Sequence, residues 1–351
     1  MTNSLKKLID NLSEEAGVIM SEQVNDPAYR FSGTIYTGSY SLNALTSASL
    51  HGGIQDNKIT VIGGEQGTGK TFVALSMCAT FQKRYPDGII VYYDTEHAVD
   101  PMTFSRFEID TSRVLIARPK YIEGWKARAV AFLTKYASLP VSERPRAMMV
   151  LDSLGALPTK KQYDDGPSDD PSADMGRRAQ AIGNAFTIMN QHLGPCFVPL
   201  IVTNHIYANT SGYGPPKKLG GGEKPLYLAS VILMMSKKRL GEKGDQEGNI
   251  VTIETFKSRF TKPGKKIETV IHFDKGLDRY WGLIDIALKH GIFKSVATRI
   301  ELPGGKKVYR SVIEKEPETY FTPEVMLQLE QAVNTEFRLG GEVTCPPESS
   351  T

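Results

Sequence analysis

The stretch Gly64-Glu65-Gln66-Gly67-Thr68-Gly69-Lys70-Thr71 matches the phosphate-loop pattern G-x-x-x-x-G-K-[ST], and no other segment constrains the fold as much. Glycines let backbone N–H groups curl around phosphates. A lysine at the seventh position reaches the β- and γ-phosphates, and the hydroxyl after it can hold Mg²⁺. Such a loop must join a buried strand to a helix. Ile59-Thr60-Val61-Ile62 reads as that strand, and Phe72, Val73, Leu75, Ser76, Met77 and Ala79 continue as the helix. The eight loop residues are therefore the expected nucleotide contacts, with Thr71 as a metal ligand.

Around the loop the pattern is α/β. Apolar strand candidates recur at 59–63, 89–94, 113–117, 147–152, 197–203 and 229–236, with helical patterns at 69–84, 122–138 and 175–193. Val/Ile/Met-rich runs alternating with helices predict a mostly parallel, twisted sheet covered on both faces. After 236 the pattern changes to hairpin strands at 249–257 and 267–273. Helical stretches at 282–290 and 322–337 then predict a small α/β C-terminal domain. The boundaries expected are 1–44 for an N-terminal helix and strand, 45–275 for the core and 276–340 for the C-terminal domain. A disordered tail is expected over 341–351. Two loops are expected inside the core, at 158–174 and 206–223; long loops in a compact domain are usually functional.

Composition excludes more than it identifies. A net charge of +3 over 351 residues does not argue for a nucleic-acid partner, so any basic surface must be local. Cys78, Cys196 and Cys345 are too widely spaced to pair as metal ligands and suit a reducing, cytoplasmic compartment. The first residues carry acids and no long apolar core, which argues against a signal peptide, and no apolar run has the length of a membrane span.

Phosphate binding alone is not a reaction; hydrolysis needs a metal anchor, a group to position water and a γ-phosphate sensor. Three strand ends offer them. Ala147-Met-Met-Val-Leu-Asp152 ends in a carboxylate at the edge where open α/β folds bind ligands, so Asp152 is the candidate metal-side acid. A helix N-cap is the competing role for this Asp. Ile89-Ile-Val-Tyr-Tyr-Asp94-Thr-Glu96 brings Glu96 to the same edge as candidate base, against the plainer reading of a solvated acid. Phe197-Val-Pro-Leu-Ile-Val-Thr-Asn204-His205 ends in groups able to hydrogen-bond a γ-phosphate, although a lone His is often only structural.

In this order, the loop GEQGTGKT, the block YYDTEHAVDP, the strand MMVLDSLGAL, the TNH element and the GGG loop resemble the RecA family of recombinases across roughly residues 1–335. The TNH histidine, the Phe256-Lys257-Ser258-Arg259 element and HFDKGLDRYWGLIDIALKHG are closest to phage recombinases of the UvsX type, while DTEHAVDP is more like bacterial RecA. The resemblance implies a RecA-like ATPase core with ATP and Mg²⁺ as cofactors. It implies Glu96 as catalytic glutamate, with Lys70 and Asp152 beside it and His205 as switch. It further implies Asp100 against the adenine, and Lys257 and Arg259 reaching a neighbour's ATP. DNA-binding loops would lie at 158–174 and 206–222, with Arg177, Arg178, Lys217, Lys218, Gly220, Gly221 and Gly222 as DNA-contacting residues. Implied partners are single-stranded DNA, a homologous duplex, further copies of the chain in a helical filament, a single-strand-binding protein and a recombination mediator. For a phage-encoded chain the compartment is the host cytoplasm. The helix near Leu5–Leu12 and the strand near 29–36 would dock on the adjacent protomer.

Two features depart from that family pattern. Thr103, with Phe104 beside it, stands where an aromatic residue often covers the adenine. The loop at 158–174 carries Asp164, Asp165, Asp169, Asp170 and Asp174, which repel DNA phosphate at close range. The rival functions are a ring helicase motor on the same core and a non-catalytic DNA-binding mediator that keeps ATP as a structural ligand. A small-molecule kinase fits less well, because no second substrate lid is visible.

Overall fold

The computed structural model describes residues 33–167, 170–208, 217–221, 227–240, 247–273 and 276–340. The chain divides between Gly33 and Thr34, and every described strand and helix belongs to the second unit. The helix expected near Leu5–Leu12 and the tail 341–351 lie outside the described residues.

The first elements are strand β1 (Thr34–Ile35), helix α1 (Tyr40–Ser47) and strand β2 (Ile54–Gln55). Strand β3 (Ile59–Gly64) runs into the phosphate loop and helix α2 (Lys70–Arg84). Strand β4 (Ile89–Asp94), helix α3 (Pro101–Arg106), strand β5 (Val114–Ala117), helix α4 (Ile122–Ala137) and strand β6 (Ala147–Asp152) follow. Helices α5 (Lys160–Asp165) and α6 (Pro171–Cys196) lead to β7 (Leu200–Ala208) and β8 (Lys217–Leu219). Strands β9 (Val231–Leu240), β10 (Gly248–Ser258), β11 (Lys266–His272) and β12 (Gly276–Leu277) close the sheet.

These strands form a ten-stranded sheet in the order β12-β11-β10-β9-β3-β7-β6-β4-β5, with β8 paired to β7. The stretch from β9 to β5 is parallel and the β9–β12 side antiparallel, as the change of pattern after 236 predicts. Side chains alternate between faces with a period of two. Ile62, Ile90, Tyr92, Met148, Val150 and Ile201 pack on one face with Val73, Met77 and Phe81 of α2. Val61, Val91, Met149, Leu151 and Val202 pack on the other with Trp125 of α4 and Phe186 of α6. Both faces are dry, which is why these strands read as continuous apolar runs.

The C-terminal region holds helix α7 (Leu283–Lys289), a small sheet of β13 (Lys294–Val296), β14 (Arg299–Glu301) and β15 (Lys307–Val308), and helices α8 (Arg310–Lys315), α9 (Pro317–Tyr320) and α10 (Pro323–Phe337). Leu329 and Val333 of α10 share one hydrophobic cluster with Leu42 and Leu45 of α1. Glu330 accepts a hydrogen bond from the Leu50 N–H at 2.7 Å. Glu336 accepts from Lys265 at 3.2 Å and His290 at 2.7 Å, and also from Lys289. The region from 276 onward therefore packs on the elements that open the unit.

Two expectations are corrected. Most of 158–174 is helical: Thr159 and Gln162 form a capping box that starts α5, and Asp170 accepts from the Ser172 and Ala173 N–H groups to start α6. The loop at 206–223 is shorter than expected, because 206–208 and 217–219 pair as β7 and β8; residues 209–216 lie outside the described set. Thr34 and Ile35, the described strand of the 29–36 docking segment, pair with Gln55 and Ile54 of their own chain.

Candidate nucleotide site

Sheet register brings the candidate residues together. Gly64, at the end of β3, is level with His205 on β7, and Asp94 with Asp152 on the β4–β6 pair. The phosphate loop leaves this carboxyl edge, and Gly67 and Gly69 take positive φ of 69° and 93°. At Gly69 the positive φ favours glycine, and a Cβ would come within 2.5 Å of Ile271 Cδ1, the end of a side chain that would have to turn aside. The Lys70 ammonium donates to the carbonyls of Gly64 and Glu65, both at 3.0 Å, folding back over the loop. Burial lowers its pKa, and the charges of Glu96 and Asp152 only partly offset this.

Asp152 is not a helix cap. It is buried on the face covered by α2, where three hydroxyls converge on it. Thr71 Oγ1 and Tyr92 Oη each donate to Oδ2 at 2.8 Å, and Thr203 Oγ1 donates to Oδ1. A buried carboxylate with this many donors is held in one pose. The Thr71–Asp152 pair suits a cation that keeps its own waters and takes phosphate oxygens, as Mg²⁺ does. Among the described residues no group of three or more His, Cys, Asp or Glu could hold a metal ion.

Glu96 accepts a hydrogen bond from Ser153 Oγ, and its Oε1 lies 3.0 Å from His205 Nε2. An ionised carboxylate can only accept, so Nε2 carries the hydrogen. Burial pushes the Glu96 carboxyl up, but hydrogen bonds from Ser153 and His205 and the charge of Lys70 outweigh it and hold the pKa below its usual value. Glu96 is thus an ionised acceptor at neutral pH, facing the phosphate loop. Loop, Glu96, Asp152 and His205 line one cleft of about 300 Å³.

That cleft has a wall not anticipated from sequence: Asn249, Ile271 and Phe273 from the β10–β11 hairpin. Their remoteness in sequence hid them; the one signal was an apolar strand ending in an aromatic residue. A second cleft, sharing Thr71, Phe72 and Phe273, runs on past Thr103 and Phe107. Phe104 is excluded from it: the ring is fully buried and packs edge-on against Tyr92 at 5.6 Å. Phe104→Ala should destabilise the fold by about 3–5 kcal/mol, seen in denaturant unfolding, through core loss rather than base contact. Asp100 Oδ1 accepts from Thr103 N and Oγ1, both at 2.7 Å, so its observed work is capping α3.

The candidate DNA residues fare unevenly. Arg178 turns inward and donates to the carbonyls of Leu154, Gly155 and Leu157 at 3.0–3.2 Å, bracing the turn after β6. Arg177 pairs with Asp174 at 2.9 Å. Of the aspartates expected to repel DNA, Asp164 pairs with Lys160, Asp170 caps α6 and Asp174 is buried. Asp169 and Gly222 lie outside the described residues, and of Lys217 and Lys218 only the backbone is described, in β8. Gly220 donates its N–H to the His205 carbonyl at 3.0 Å, and its own carbonyl accepts from Asn204 at 2.7 Å. At Gly221 φ is 99° and a Cβ would meet Ile182 at 2.6 Å.

Lys257 and Arg259 stand away from this cleft. Lys257 is level with Ile232 and thus Val61, while Gly64 is level with Met235. That is three residues, roughly 10 Å, back along the strand. The Lys257 ammonium donates to the carbonyls of Tyr227 and, at 2.8 Å, Ala229. Burial and neighbouring Arg259 lower its pKa.

Comparison with known proteins identifies the family. The Recombination and repair protein of Enterobacteria phage T4 is 26% identical over 250 residues, covering 71% of this chain and 62% of that protein. The chain therefore matches less than two thirds of the phage protein's length. Protein RecA of Aquifex aeolicus is 28% identical over 294 residues, 81% of this chain and 80% of that protein. Protein RecA of Nautilia profundicola is 27% identical over 312 residues, 86% and 83%. The family model for the RecA N-terminal domain matches residues 4–278, from ahead of the phosphate loop to the end of the hairpin that walls the cleft, and the chain belongs to the RecA family.

Proposed function

We propose that this chain is an ATP-dependent DNA strand-exchange recombinase that assembles as a helical filament on single-stranded DNA and serves homologous recombination, repair and recombination-dependent replication. One observation carries it: His205 touches Glu96 through its side chain and Gly220 through its backbone. The γ-phosphate side of the cleft is thereby wired to the hairpin that opens the second loop.

In the resting arrangement Lys70 rests on loop carbonyls and His205 on Glu96. When ATP enters, Lys70 turns from those carbonyls to the phosphates. Thr71 and Asp152 would hold a divalent cation, whose chemistry there would be to neutralise phosphate charge. His205 leaves Glu96 for the γ-phosphate, and its backbone carries the change into Gly220 and loop 2. Glu96, freed and ionised, accepts from the attacking water. Loss of the γ-phosphate reverses the switch and lowers DNA affinity, an order-to-disorder device.

DNA would be gripped by its backbone, without base readout, as sequence-neutral pairing requires. With Arg178 committed to its own chain, phosphate contact falls to Arg177, Lys161 and the second loop with Lys217 and Lys218. The outer sheet edge, β5, exposes Leu115 (52%) and Ile116 (45%) and suits the N-terminal segment of the next protomer. Single-strand-binding protein, a mediator and a cytoplasmic setting complete this reading; among the described residues no helix is long and apolar enough to cross a membrane. The test is strand exchange between circular single-stranded DNA and a homologous linear duplex, with ATP and a single-strand-binding protein. Joint molecules dependent on ATP are expected. DNA-stimulated ATPase with no joint molecules, and closed rings in electron microscopy, would favour a helicase motor instead.

A further inference from the structure

Strand β9 outruns its neighbour. Strand β3 stops at Gly64, level with Met235, whereas β9 continues to Leu240. Lys237 thus lies two residues past the end of β3, roughly 6–7 Å farther on, beside the loop. Alternation puts its side chain on the same face as Leu233 and Met235, both in the cluster under α2. Asn249 and Ile271 are paired across the hairpin at its end and line the nucleotide cleft. Lys237 therefore emerges on the phosphate-loop side of the sheet. Its ammonium donates to the Gly67 carbonyl at 2.7 Å. A Cβ at Gly67 would lie 3.1 Å from that nitrogen, so the lysine sits directly over the glycine.

The same peptide bond is held from its other side. The Thr68 N–H donates to the Glu65 carbonyl at 3.3 Å, and Thr68 Oγ1 donates to the same oxygen at 2.9 Å. In a trans peptide the C=O and the following N–H point in opposite directions. Lys237 on the carbonyl and Glu65 on the N–H together fix the plane of the Gly67–Thr68 peptide at the crown of the loop. Gly67, at φ 69°, has no side chain to restrain it.

We propose that Lys237 is a positioning residue for the nucleotide: by holding the Gly67 carbonyl outward it keeps the crown of the phosphate loop shaped for the phosphates that ADP and ATP share. The role rests on the nucleotide-binding part of the proposed function and is independent of DNA. The test is equilibrium binding of Mg-ADP and Mg-ATP, without DNA, to the full chain and to Lys237→Met and Lys237→Arg, with kcat and KM for DNA-stimulated ATPase beside it. Loss of one charge-assisted bond at an exposed site predicts about tenfold weaker binding of both nucleotides in Lys237→Met. KM should rise in parallel with kcat nearly unchanged, and Lys237→Arg should recover most of the affinity. Equal affinities in Lys237→Met and the wild type would overturn the proposal. So would a loss confined to ATP, which would make Lys237 a γ-phosphate ligand. A wild-type chain that binds neither nucleotide would overturn the phosphate-loop reading itself, and the proposal with it.

Discussion

Glu96→Gln is expected to lower ATP turnover by about 10²- to 10⁴-fold, the usual loss when a positioned base is removed, while ATP-dependent assembly on single-stranded DNA persists. The amide keeps the size of the carboxylate and can still meet Ser153 and His205, but it cannot take the water's proton. Steady-state ATPase and electron microscopy of the same preparation check the two halves. Normal turnover in the variant would remove Glu96 from the mechanism. The acid limb gives a further check. The Glu96 pKa is held below its usual value, so the ionised form persists to lower pH than for a free glutamate. The acid limb of kcat/KM, which reports the free chain, should fall only when pH drops through that lowered value. Ser153→Ala removes one lowering hydrogen bond and should move the fall to higher pH.

The second large effect concerns Lys257. Its sheet level lies back toward the amino end of β3, and its ammonium is engaged with carbonyls ahead of β9, away from the phosphate loop of its own chain. A head-to-tail assembly places one surface of each protomer against a different surface of the next. Lys257→Ala should therefore lower DNA-stimulated ATPase by about 10²- to 10³-fold, as removal of one preorganised donor does at other sites of developing charge. The isolated protomer should still bind nucleotide at wild-type affinity. The discriminating measurement is a mixture with Lys70→Ala, whose loop is dead but whose Lys257 is intact. In an equal random mixture about a quarter of interfaces join a good loop to a good lysine, so activity should return in part. A mixture as inactive as its components would argue that Lys257 acts within its own chain.

How much of the molecule is legible in the sequence varies with the range of the interaction. The phosphate loop, its strand and its helix are contiguous, and their pattern survives any packing. Asp152, Glu96 and His205 are also readable, because an apolar run ending in a polar group marks a sheet edge whatever the order of strands. The segment 158–174 reads as a loop because its aspartates and prolines have loop composition, whereas Asp170 and Pro171 are a cap and a first-turn residue of α6. Arg178 misleads for a related reason: charge suggests DNA, but orientation on the helix turns it toward the carbonyls of 154–157. Thr103 stands where an aromatic residue often covers the adenine, and the complete burial of Phe104 beside it assigns that ring to the core.

What the sequence determined by itself was local: a nucleotide loop, the alternation of strand and helix, and the family to which these motifs belong. The tertiary structure decided which distant groups share the cleft. Only the register of β9 and β10 beside β3 brings Lys237 over Gly67, sets Asn249, Ile271 and Phe273 along the nucleotide wall, and carries Lys257 away from it. The physical reason is that side-chain direction in a sheet repeats every two residues, while pairing depends on long-range packing, so a shift of one residue in register would reverse every one of these placements.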